Sequence, residues 1–175
     1  MPFTKTAYRS DARAAAAMPV AAAVLLLAPL QADAGADCTI SSIGASFGTY
    51  DPLLTQADDT TSSVTVTCNY VAPDSTTVNY AISVSNGMFG TSPTTRNTGF
   101  GAARLGYNVY ADSARSQVLG NGSSGTVVAT GSLKVGPGVG NNTRSSTHTF
   151  YARSPALQDV AAGAYADTLV LTLTY

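Results

Sequence analysis

Residues 165–175 read YADTLVLTLTY, an alternation of apolar and polar residues that predicts one β-strand. One face carries Tyr165, Leu169, Leu171, Leu173 and Tyr175, and the other carries Thr168, Val170, Thr172 and Thr174. A strand this apolar needs a hydrogen-bonded neighbour on each side and a covered inner face. No further segment follows Tyr175 in the sequence, so we expect the missing neighbour to come from another molecule.

Short alternating segments separated by turns fill the chain ahead of this strand. They are predicted at 39–50, 64–70, 78–84, 105–109, 127–135 and 147–153. The first is expected to be broken, with Ile43 and Phe47 on one face and a kink at Gly44 and Gly48. The third is expected to stop at the turn Asn86-Gly87, and residues 88–101 and 136–142 to form loops. Seven or so strands and no helical period predict an all-β antiparallel sandwich.

The amino-terminal residues have the pattern of a secretory signal peptide. Lys5, Arg9 and Arg13 precede a nearly charge-free run, 14–30, and small residues then offer cleavage after Ala34 or Ala36. A transmembrane anchor is the alternative, but the run is short, rich in alanine and interrupted by prolines. We therefore predict a leader at 1–34 and one secreted domain at 35–175, without a membrane span in the mature chain.

The length and charge of the predicted mature domain limit how many domains it can form and what it can bind. About 140 residues suffice for one domain with a sizeable core. All its acidic residues are aspartates, and they exceed its lysines and arginines by about two, so a polyphosphate- or nucleic-acid-binding surface is not expected.

The chain has two cysteines, Cys38 and Cys68. In an exported protein they predict one disulfide, which would close a loop of about 30 residues and stabilise the fold by roughly 3 to 4 kcal/mol. Half of a metal site is the alternative, but there is no second cysteine pair and no nearby histidine.

One motif imitates a hydrolase. Residues 44–48 read GASFG, and Ser46, Asp112 and His148 follow the chain order of a nucleophile-elbow triad. The elbow needs a helix directly after the serine, whereas residues 49–52 read TYDP, which would break a helix. We therefore predict a glycine-kinked strand and no enzyme activity.

The remaining polar motifs do not predict a metal or cofactor site. His148 is the only histidine, and Asp58-Asp59 lacks a third acid at calcium-loop spacing. The loop 136–140 has no helix after it to bind phosphate. Sequons at Asn121 and Asn141 leave glycosylation open.

Several segments together resemble the spore coat protein U domain, the family that also covers subunits of archaic, Csu-type chaperone-usher pili. The resemblance runs from Cys38 to Tyr175. It rests on Cys38, SFGTYDP at 46–52, VTVTC at 64–68, YAIS at 80–83, RLGYNVYAD at 104–112, Ala114-Arg115, TFYARSP at 149–155, Gln158 and GAYADTL at 163–169.

The resemblance implies an immunoglobulin-like sandwich that lacks its final strand. A periplasmic chaperone would lend that strand, and a neighbouring pilus subunit would replace it at an outer-membrane usher. The protein would pass through the periplasm to the cell surface. The predicted strand-acceptor groove comprises Ile43, Phe47, Leu169, Leu171, Leu173 and Tyr175.

One departure from the family pattern bears on the role of this chain. Polymerising subunits are expected to carry about a dozen alternating residues before the first cysteine, whereas cleavage after Ala34 leaves three here. This predicts a tip-like or minor subunit of a pilus, or a coat protein. Tip subunits usually resemble two such domains in tandem, which argues against the tip. The alternative function is a stand-alone secreted sandwich that binds carbohydrates or surfaces.

Overall fold

The computed structural model describes residues 35–71, 76–137 and 142–175, together with the backbone of residues 3–8. Within these ranges the chain forms nine β-strands and no helix. They are β1 (Phe3–Tyr8), β2 (Ala36–Ile43), β3 (Asp58–Tyr70), β4 (Thr76–Val84), β5 (Arg96–Phe100), β6 (Ala103–Tyr110), β7 (Ala129–Val135), β8 (Thr143–Ser154) and β9 (Leu169–Thr174).

Some predictions lie outside the described residues. These are the apolar run 14–30, the cleavage site after Ala34, residues 138–141 of the glycine-rich loop, and the sequon asparagine Asn141. The leader and the domain boundary at 34/35 therefore stay predictions.

The strands form two sheets that enclose one core. One sheet has the order β1-β9-β4-β7 and the other the order β2-β3-β8-β6-β5. Every strand pair is antiparallel except β1 with β9, which is parallel. The predicted all-β, immunoglobulin-like sandwich is confirmed.

Alternation along the central strands builds this core. In β3, Val64, Val66 and Cys68 face inward and are fully buried, while the threonines between them face out. In β4, Tyr80, Ile82 and Val84 do the same from the opposite sheet. Because side chains alternate with a period of two, one face of each strand supplies the core and the other remains polar.

The predicted disulfide between Cys38 and Cys68 is confirmed. The two residues lie directly opposite each other in the β2–β3 ladder, and both are buried in the core. The bond therefore joins the first strand of the predicted mature chain to its neighbour in the sheet.

Three strand predictions need correction. The first strand ends at Ile43, and residues 44–50 form no strand, since Gly48 takes a φ of 75° that an extended strand excludes. Residues 96–100, predicted as loop, form β5, whose inward residues are polar and so hide the alternation. The terminal strand begins at Leu169 rather than Tyr165.

Candidate strand-acceptor groove

The last strand, β9, has a neighbour on each of its two edges. On one side β9 pairs with β4, from Val84 opposite Leu171 to Ala81 opposite Thr174. On its other side its partner, within the described part of the chain, is β1, which runs from Phe3 opposite Leu169 to Tyr8 opposite Thr174. Residues 3–8 lie within the predicted leader. The outer edge of β9 is thus covered by a segment that leader cleavage would remove.

Three leucines of β9 project into the core. Leu169, Leu171 and Leu173 are fully buried, and Tyr175 is half-buried against the same core. Phe47 joins them from the segment after β2 and meets the Tyr107 ring edge-on, with 6.1 Å between centroids.

Ile43 does not lie with the other predicted groove residues. It is 72% exposed at the end of β2, where Ala36, Cys38 and Ile40 are the inward residues. The period of two therefore puts Ile43 on the outer face, because it is an odd number of residues away from all three. The groove assignment of the other five residues stays a prediction.

A buried aspartate fixes the start of β9. Asp167 accepts a hydrogen bond of 2.6 Å from the Tyr107 hydroxyl, and its other oxygen accepts from the backbone N–H of Met88 at 2.7 Å and of Thr168 at 2.8 Å. Burial and then the Asp167 hydrogen bond raise the pKa of Tyr107, so the phenol stays a donor. Gly87 packs so closely on Asp167 that a Cβ would overlap the carboxylate.

Ser85 extends the ladder between β4 and β9. Its backbone N–H donates to the Val170 carbonyl at 3.0 Å, and its hydroxyl accepts from the Val170 N–H at 2.9 Å. The strand's inner edge is therefore fully engaged near its start, and only its outer edge depends on β1.

Arg96 is a buried polar centre beside this junction that the sequence analysis missed. Its guanidinium donates to the carbonyls of Val84, Ser85, Pro93 and Leu119 and to Oδ1 of Asn108, at 2.7 to 3.3 Å. All five N–H groups of an arginine are thereby used. Burial lowers the pKa of Arg96 to about 10, so the side chain stays charged at neutral pH.

A cavity of about 470 Å³ opens at the end of the sandwich where β9 begins. Its walls are residues 45–50 after β2 and residues 160–165 before β9, with Pro52, Thr98 and Leu105 completing the lining. No lining residue carries a charged side chain. Volumes of roughly 300 to 1,000 Å³ are typical of ligand pockets.

The residues of the hydrolase-like motif do not form a triad. Asp112 accepts hydrogen bonds from Ser116 and Gln117 in its own turn, and His148 lies 2.8 Å from the Tyr80 hydroxyl through Nε2. Among the described residues no hydrogen bond joins either of them to Ser46, which lines the cavity.

The paired aspartates also have a structural role. Asp59 accepts two hydrogen bonds from Arg153, at 2.7 and 2.8 Å, which lower its pKa. Within 35–71, 76–137 and 142–175 no cluster of three or more potential metal ligands is present.

Comparison with known families identifies the domain. The model of the Spore Coat Protein U domain matches residues 24–172. This chain belongs to the spore coat protein U domain family. The matched span covers all the strands from β2 to β8 and most of β9, and it begins before residue 35.

One of the solved structures is similar to this chain. It is a chain of the CsuC-CsuE chaperone-tip adhesion subunit pre-assembly complex from archaic chaperone-usher Csu pili of Acinetobacter baumannii, with 18% sequence identity and a TM-score of 0.49. The match covers 80% of the present chain and 40% of the other. The comparison with curated proteins gives no match. Among the described residues, no helix is long and apolar enough to cross a membrane.

Proposed function

We propose that this spore coat protein U domain protein is a secreted structural subunit of a cell-surface pilus, fimbria or coat, assembled by strand donation. The observation that carries the proposal is the position of β9, whose outer edge is paired, among the described residues, only with residues 3–8. Family membership supports it independently.

Leader cleavage would leave β9 with unpaired backbone groups along one edge. Such an edge accepts an extended peptide through main-chain hydrogen bonds, while alternate side chains fill the groove beside it. The pairing of β1 along all six residues of β9 supports the view that a strand fits there. Each leucine of β9 that became exposed after the loss of β1 would lose up to about 1.5 to 3 kcal/mol of stabilisation from apolar burial. The open subunit therefore needs a substitute strand.

Three partners follow from this mechanism. A periplasmic chaperone lends the strand during export, an outer-membrane usher directs the exchange, and a neighbouring subunit supplies the final strand at the cell surface. Cleavage after Ala34 would leave three residues before Cys38, too few to complete another subunit in turn. The protein therefore accepts a strand and donates none, as a minor or terminal subunit does.

Export with and without a partner tests the proposal. The chain is secreted into the periplasm alone or with a co-expressed chaperone of the chaperone-usher class. We expect soluble protein only as a one-to-one complex and aggregation or proteolysis without the chaperone. A stable, monodisperse monomer without any partner would contradict the proposal and favour a self-sufficient surface- or carbohydrate-binding sandwich. Amino-terminal sequencing of the purified protein checks the cleavage site.

A further inference from the structure

We infer that the outer face of the four-stranded sheet carries a binding site for a neutral sugar, one hexopyranose unit held between β9, β4 and β7. The site is a depression of about 560 Å³, and its lining includes Asn79, Ala81, Thr130, Ser132 and Thr174. It lies on a face of the sheet rather than along the outer edge of β9. The inference therefore goes beyond the proposed function and does not depend on it.

Ala81 lies at the centre of the depression, between two threonines. In the sheet, Thr174 of β9 is opposite Ala81 on one side, and Thr130 of β7 is opposite it on the other. The neighbours Ile82 and Leu173 are fully buried, so Ala81 and the two threonines project outward. Adjacent strands are spaced by about 4.8 Å, which puts the Cα atoms of the two threonines roughly 10 Å apart. The small side chain of Ala81 leaves that gap open, with room for one sugar ring.

A second row of polar side chains borders this gap. Asn79 and Ser132 are opposite each other in the β4–β7 ladder, and both are exposed on the same outer face. Tyr175, which follows Thr174, completes the border. An amide and a hydroxyl can each donate and accept hydrogen bonds, and so can every hydroxyl of a sugar. The two rows therefore offer a sugar ring partners of both kinds.

These polar groups are free to bind a ligand. Among the described residues, no hydrogen bond engages the side chains of four residues in the lining: Asn79, Thr130, Ser132 and Thr174. On the outer face of the other sheet, by contrast, Thr65 bonds Thr147 and Thr67 bonds Ser145, each at 2.8 Å. Those hydroxyls lie directly opposite each other. The threonines of the depression cannot pair in this way, because Ala81 separates them by more than a hydrogen-bond length.

The lining favours an uncharged ligand. None of the described residues that form it has a charged side chain. Lys134 is the next outward residue of β7 after Ser132, but it is not part of the lining. An anion would need a cationic donor for its strongest hydrogen bonds. A protein partner is also disfavoured, because serine and threonine are under-represented among the residues that dominate protein interfaces.

An NMR titration of the exported protein tests the inference. The protein is purified alone or, where it needs one, in complex with the chaperone that keeps it soluble. The probes are the methyl glycosides of glucose, galactose and mannose. We expect at least one of them to shift the amide signals of 79–81, 130–132 and 174–175 in a saturable way. A dissociation constant in the millimolar range is expected, since a shallow site leaves much of the sugar in water.

Three variants locate the site. Ala81→Leu fills the gap between the threonines and should abolish the shifts. Thr130→Val keeps the shape of the side chain and removes its hydroxyl, so it should weaken binding by about three- to tenfold. Thr61→Val is the matched control, because Thr61 is exposed on β3 of the other sheet, and it should leave the affinity unchanged. Melting temperatures close to that of the parent show that each variant folds.

Several results would overturn the inference. The first is the absence of a saturable shift with all three glycosides, and the second is an equal loss of affinity in Thr61→Val and Thr130→Val. Shifts confined to residues 45–50 and 160–165 would place the sugar in the end cavity instead. Binding of methyl glucuronide alone, lost in Lys134→Ala, would show that the site takes an anion. Strand donation is tested separately by the need for a chaperone, so either proposal can fail while the other stands.

Discussion

Arg96 shows how one residue can hold the end of the sandwich together. Its side chain is only 1% exposed, and its five hydrogen bonds reach β4, β6 and two loops. A buried cation is tolerated when each of its N–H donors has an acceptor. When the cation is removed, those buried acceptors lose a hydrogen-bond donor.

We expect Arg96→Met to lower the free energy of unfolding by about 3 to 5 kcal/mol, because four buried carbonyls would lose the donors that Arg96 supplies, although Asn108 Oδ1 would keep the Val109 N–H. Arg96→Lys should also destabilise the protein, since an ammonium has three N–H donors and cannot replace the five of the planar guanidinium. Arg104→Met is the control, because Arg104 is exposed, donates hydrogen bonds only to the carbonyls of Gly101 and Ala103, and otherwise stacks on the Phe89 ring, 4.3 Å from its centroid. Urea titration measures all three. A loss at Arg96 no larger than that at Arg104 would contradict the role of this network.

His148 should make stability depend on pH. Its ring lies between the sheets, edge-on to Tyr80, and desolvation lowers its pKa from the usual 6.5. The folded state therefore prefers the neutral ring, so its contribution is present above pH 6.5 and declines as the pH falls through that value towards the lower folded pKa.

We expect the free energy of unfolding to decrease between pH 7.5 and pH 5.5, and His148→Gln to flatten that slope. Asp58→Asn is the matched control. Burial raises the pKa of Asp58, so its contribution has the opposite sign and lies nearer pH 4. Urea titrations across this range check both variants, and an unchanged slope in His148→Gln would exclude the histidine as the cause.

At the scale of elements, sequence patterns predicted strands wherever alternation was apolar. Strands β3 and β4 were predicted because each buries one face, which gives an alternation of apolar residues: Val64 and Val66 in β3, and Val78 and Ile82 in β4. β5 was missed because its inward residues, Arg96 and Thr98, are polar and are buried only because their side chains find hydrogen-bond acceptors, among them the carbonyls of Leu119 and Leu105.

Two features of the site were not predicted correctly. Ile43 was grouped with Phe47 on one face, although its odd distance in sequence from Cys38 and Ile40 puts it on the outer face of β2, which ends there. The cavity could not be predicted at all, since it exists only where two segments more than a hundred residues apart come together.

The register of β9 gives a strict test of the acceptor edge. Leu171→Asp would bury a carboxylate opposite Val84, at a cost of several kcal/mol, whereas Thr172→Asp puts the charge on the half-exposed outer face. We expect the first variant to abolish recovery of the soluble chaperone-bound subunit and the second to reduce it only moderately. Equal yields from the two variants would argue against one groove-facing side.

At the scale of the whole molecule, the disulfide fastens an edge strand to its sheet. Cys38 and Cys68 join β2, at the edge of the five-stranded sheet, to its neighbour β3. We expect the double variant Cys38→Ala/Cys68→Ala to lose about 3 to 4 kcal/mol of stability, the chain-entropy estimate for a loop of this length. Peptide mapping without reductant checks the bond in exported protein, and urea titration measures the loss. Free thiols in the exported protein would contradict the assignment.

The completeness of the sandwich is the property on which the proposed function depends. A strand of alternating apolar residues fused after Tyr175 through a flexible linker should fold back along β9 in the exported chain. It would cover several apolar side chains, each worth about 1.5 to 3 kcal/mol, and so raise the melting temperature by on the order of 10 °C.

The control strand has the same composition with its alternation shifted by one residue. That shift turns its polar side chains toward the groove, so it should give little of the increase. Thermal unfolding of the two fusions and the unfused chain measures the difference. If both strands stabilise equally, the gain comes from the tether rather than from the groove, and if neither does, β9 has no open edge in the mature protein. A gain confined to the correct register would mean that β9 lacks a neighbour until a partner supplies one.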